Sequence, residues 1–108
     1  MDTGHKTPPI DLSAMASHAE AAAALMKALS NPHRLQVLCL LNDGERSVGD
    51  LQTQLGLSQS ALSQHLAVLR SQQLVATRRD QRRIYYRLHA GVVAEVIAVL
   101  HRYFCTPP

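Results

Sequence analysis

Two thiols carry the reactive chemistry of this chain: Cys39, inside the apolar run "RLQVLCLL", and Cys105, inside "HRYFCTPP". A cysteine acts as nucleophile or metal ligand once it is a thiolate, and otherwise behaves as a small buried hydrophobe. His101 and Arg102 precede Cys105 by four and three positions, so on a helix both can stand beside the thiol and favour its anion. The negative end of a helix dipole acts in the opposite sense at that place. The cysteines are far apart in the chain, without the C-x-x-C spacing of thiol oxidoreductases. No Gly-rich phosphate loop is present, nor a Ser/His/Asp set that can be placed in one pocket, so the expectation is a protein that is not an enzyme and carries no cofactor.

A second constellation can touch nucleic acid. In "LSQSALSQHLAVLR", Gln59 and Gln64 can bridge the N6 and N7 edge of adenine, and Ser60 and Ser63 can bond bases or phosphates. Arg70 sits where contact with the phosphate backbone is expected, and Ser58 and His65 complete the candidate DNA-facing set of this segment, although His65, like His33, reads equally as a structural residue. Downstream, "RRDQRR" brings Arg79, Arg82 and Arg83 together. The formal net charge is only +3, but six of the eleven basic residues fall between Arg70 and Arg87. Such a stripe makes a local field suited to a polyanion, whereas scattered charge only aids solubility.

These groups need a scaffold, and 108 residues with 46% hydrophobic and 18% charged side chains give one domain of modest core, for which dimerisation would be stabilising. No apolar run approaches the roughly 18 residues of a membrane span, and "MDTGHKTPPI" has no apolar signal region, so the cytoplasm is the expected compartment. Reducing conditions there argue against a purely structural disulfide.

Residues 1–10 read as a disordered arm and 11–105 as the domain. A first helix is expected near Leu12 to Leu29. A second opens at Pro32, capped by Ser30 or Asn31, stops at Gly44, and is deeply buried. Ser47 and Asp50 resemble a capping box, Gly56 ends the third helix, and Ser58 caps the fourth, in which Leu62, Leu66 and Leu69 share one face. The period then changes from helical to alternating. One strand is expected near Leu74 to Thr77, "RRDQRR" forms the tip, and Ile84, Tyr86 and Leu88 share one side of the return strand. A fifth helix from Ala90 to Cys105 has more than one apolar stripe, enough for its own core and a partner subunit. The fold class is therefore mainly α with a small β-hairpin: a winged helix-turn-helix of five helices and a two-stranded wing, its fourth helix placed for the major groove.

The stretch from Ala28 to Leu88, above all "NPHRL", "LSQSALSQHLAVLR" and "YYRL", resembles the core of the ArsR family of bacterial repressors. The resemblance implies a homodimer built from the first and last helices, bound to an inverted-repeat operator in double-stranded DNA and released by an inducer. A two-fold dimer reads half-sites about 34 Å apart. One metal site of the family uses cysteines at the start of the third helix, where this chain has "RSVGDL". Another uses acid and His ligands on the last helix, but His89, Glu95 and His101 are six residues apart and do not converge on one face. No familiar metal site is therefore expected. The cysteine pair instead resembles the thiol-switch branch of SqrR, BigR and HlyU type. That likeness implies that persulfides or oxidants link Cys39 with Cys105 and lower DNA affinity. The alternatives are a metal-responsive repressor with Cys39, Cys105 and His101 as ligands, and cysteines without a switching role.

Overall fold

The computed structural model describes residue 9 and residues 11–105. The expected arm, residues 1–10, lies outside the described residues apart from Pro9. Helix α1 spans Leu12–Leu29, and Asp11 caps it by accepting from the Ser13 and Ala14 amides. Only its end is buried, at Ala28 and Leu29; Leu12, Met15 and Met26 are exposed. Helix α2, Pro32–Asn42, opens as expected with Asn31 accepting from the His33 and Arg34 amides. Arg34 reaches back, donating from Nε to the Ala28 carbonyl at 2.6 Å, and so satisfies the open end of α1.

Strand β1, Arg46–Ser47, leads into α3, Val48–Leu55, where Ser47 Oγ accepts from the Asp50 amide at 3.1 Å. Gly56 ends α3 at φ 64°, the left-handed conformation that favours glycine. A side chain there would meet nothing within 4 Å, so the backbone angle alone sets the requirement. Ser58 caps α4, Gln59–Ser71. Strands β2, Val75–Asp80, and β3, Arg83–Leu88, pair antiparallel with Asp80 opposite Arg83.

The sheet order is β1-β3-β2, with Arg46 opposite Tyr86 and Ser47 opposite Tyr85. The wing is thus the expected hairpin plus a two-residue strand too short to show a period. Its strands also run further than expected: most of "RRDQRR" is paired, and only Gln81 and Arg82 turn the corner. Of the side expected to face inward, Tyr86 is buried and Leu88 half-buried, while Ile84 near the tip is exposed because it extends past the core.

Helix α5, Val92–Leu100, follows, and the expected continuation to Cys105 is a π-turn, His101–Cys105. The core joins all these pieces. Val37 and Leu38 of α2, Leu51 of α3, Leu62 and Leu69 of α4 and Ile97 of α5 are fully buried, each worth about 1.5–3 kcal/mol. The expected deep burial of α2 holds for Val37, Leu38 and Leu41 only; Leu35, Cys39 and Leu40 form a half-buried edge. No helix among the described residues is long and apolar enough to cross a membrane.

Candidate nucleic-acid interface and thiol pair

Helix α4 turns Leu62, Leu66 and Leu69 inward and leaves Ser58, Gln59, Ser60, Ser63 and Gln64 exposed. The expected contact set therefore stands on the outer face, with one exception. His65 is half-buried and packs against His33 of α2, the ring centroids 5.6 Å apart and the planes inclined at 38°. Burial, the Arg34 charge and His33 hold its pKa below the usual value.

Arg70 Nη1 donates to Tyr86 Oη at 3.0 Å, which fixes a cation at the junction of α4 and the wing. Arg79, Arg82 and Arg83 are exposed, and the last two line a groove of about 510 Å³ with Ser47, Asp50 and Thr53 of the α3 end. Arg78 differs from these. Its Nε donates to both carboxylate oxygens of Glu45 at 2.9 Å, and its guanidinium lies 4.5 Å from the Tyr85 ring centre. Arg78 also holds the Glu45 carboxyl below its ordinary pKa. Sequence reading missed this pair, because residues 45 and 78 share no local pattern.

The second site lies between α2 and the π-turn. Cys39 Sγ and Cys105 Sγ stand 3.4 Å apart and share an S–H···S hydrogen bond. Neither thiol is in a disulfide; Cys39 is half-buried and Cys105 exposed. One turn along, His101 Nε2 lies 3.5 Å from Asp43 Oδ1, so two rungs join the same two elements. Burial pushes the Cys39 thiol up to about 11, helped by Cys105 and the Asp43 carboxylate, so it keeps its proton near neutrality. Beside the rungs is a cavity of about 570 Å³ walled by Leu35, Leu40, Leu55, Leu100 and Phe104. Among the described residues no cluster of three or more His, Cys, Asp or Glu is placed to hold a metal ion.

A glycine-turned helix pair, a polar outer helix and an arginine-bearing hairpin define a winged helix-turn-helix DNA-binding protein. Residues 31–77 match the bacterial regulatory protein, arsR family. The transcriptional activator HlyU of Vibrio cholerae is 47% identical over 93% of this chain and 93% of its own. The structure of its reduced form superposes with TM-score 0.82 at 48% identity, over 85% of this chain and 97% of that one. The biofilm growth-associated repressor of Xylella fastidiosa is 45% identical, over 85% of this chain and 81% of its own. A homodimeric winged helix-turn-helix DNA-binding domain from Mycobacterium bovis, 35% identical, has TM-score 0.74 over 90% of this chain and 88% of that one. The chain belongs to the ArsR family and is a DNA-binding transcription regulator.

Proposed function

We propose that this regulator is a cytoplasmic homodimeric repressor that leaves its inverted-repeat operator when reactive sulfur species or oxidants link Cys39 to Cys105. The observation that carries the reading is the 3.4 Å thiol pair across two separate elements. A disulfide closes at about 2.05 Å, so the sulfurs have about 1.4 Å to travel. With an organic persulfide R–S–SH, Cys105 attacks the outer sulfur and R–SH leaves, giving Cys105–S–SH. Cys39 then attacks the Cys105 Sγ and expels hydrogen sulfide, so the persulfide is the oxidant and no other is needed. Exposure favours Cys105 as the first nucleophile, and the raised Cys39 pKa keeps that thiol in reserve.

The dimer is supported by apolar side chains left exposed on the chain: Leu12, Met15 and Met26 on α1, and Val92, Val99 and Tyr103 toward the chain end. The name of the Xylella relative supports repression; that of the Vibrio relative points to activation. Reduced protein bound to its own promoter DNA and treated with a persulfide donor tests the reading. The expected result is a mass loss of two hydrogens, bridged peptides containing Cys39 and Cys105, and a roughly 5- to 150-fold weaker operator complex, on the order of typical allosteric coupling. Equal release from Cys39→Ser and Cys105→Ser proteins would overturn it.

A further inference from the structure

We infer that the cavity beside the thiols receives the organic group of the incoming persulfide, and that this group is uncharged and apolar: an alkyl or aryl persulfide rather than a charged peptide persulfide. The inference rests on the thiol-switch reading and adds the substrate class. About 570 Å³ lies within the range of small-ligand sites. The two thiols form part of its wall, so a donor whose outer sulfur meets Cys105 lays its substituent into the cavity.

The walls discriminate by charge. Leu35, Leu40, Leu55, Leu100 and Phe104 contribute hydrocarbon, while Gln36, Gln54, Asp43 and His101 supply the polar atoms. Among the described residues no lysine or arginine lines it, its one carboxylate is Asp43, and the imidazole of His101 is already set against that carboxylate. A substituent bearing carboxylates would lose hydration and meet a like charge. A hydrocarbon substituent would exchange water for leucine and phenylalanine, each buried methylene being worth about fourfold in affinity.

Cross-linking rates of the reduced full chain, followed by intact mass, test this with three donors: inorganic polysulfide, hexyl persulfide and glutathione persulfide. Each rate is divided by that of the same donor with a free small thiol, which removes intrinsic reactivity. The expected outcome is a normalised rate at least about tenfold higher for hexyl than for glutathione persulfide, as burial of two methylenes would already give. Phe104→Gln, at a position 80% exposed and therefore tolerant, should lower that ratio, and Leu55→Gln, at a second lining position on α3, should lower it as well. A wild-type ratio near one, or one unmoved by both variants, overturns the inference. If inorganic polysulfide links the cysteines while the ratio is flat, the substrate class alone is wrong. If no donor links them, the thiol-switch reading falls too.

Discussion

Along α4 the leucines Leu62, Leu66 and Leu69 are buried, and the outer face offers Ser60, Ser63, Gln64 and Ala67 to solvent. Along the seam of α2 and the π-turn the balance is reversed: leucines stay half-exposed, Phe104 is bare, and polarity is confined to Asp43, His101 and two glutamines. The difference separates a surface complete for a large polar partner from one that still has hydrocarbon to cover. Both rest on one core, since Leu38 of α2 and Leu62 of α4 belong to the same buried cluster.

Damage to that shared core should have the largest effect, because it reaches both regions. Leu38→Ala should cost about 2–5 kcal/mol in chemical denaturation and impair DNA binding and thiol cross-linking together; loss of one alone would show that the regions fold independently. Gln64→Ala sharpens the reader side. It should weaken operator binding by about 1–3 kcal/mol with little change on unrelated DNA, as measured by titration on both sequences; equal losses would remove the residue from base recognition.

The wing should act through charge only. Arg82→Ala and Arg83→Ala are expected to weaken all sequences alike and each to flatten the log–log salt slope by about 0.9, whereas Glu45→Gln releases Arg78 and should steepen it. A slope unmoved by all three would take the wing off the DNA. The smallest effect concerns His65, whose folded pKa is lowered from 6.5. Its contribution to stability is complete above pH 6.5 and is lost as pH falls through the folded value, because the unfolded chain takes up the proton first. Thermal midpoints should therefore fall more on acidification in the wild type than in His65→Gln; parallel curves would count against a half-buried imidazole whose charged form is disfavoured.

The reader was legible because its information is local. Leucines at helical spacing, Gly56 and the caps Ser47 and Ser58 each act within a few residues of themselves. The thiol pairing came only through family resemblance, since no period relates residues 39 and 105. The open edge of α2 was hidden for a different reason: in a run apolar throughout, no contrast marks which leucines meet solvent. The π-turn was lost because a 3.6-residue period presupposes the regularity that the turn breaks. For His65 the sequence left a structural and a DNA-facing role open, because its neighbour His33 belongs to another helix and no local pattern relates the two.

Strand β1 is two residues long, yet it ties the entrance of α3 to the middle strand of the wing, while Arg70 and Tyr86 tie the exit of α4 to the same strand. Groove reader and wing are thereby riveted at both ends to a single frame. If the proposed thiol link forms at the seam, it is expected to tilt or carry that frame, as one moves a caliper jaw, and to leave the shape of the jaw alone. In the homodimer proposed above, regulation would then be a matter of where the two jaws stand relative to each other, with the grip of each on its own half-site expected to stay constant.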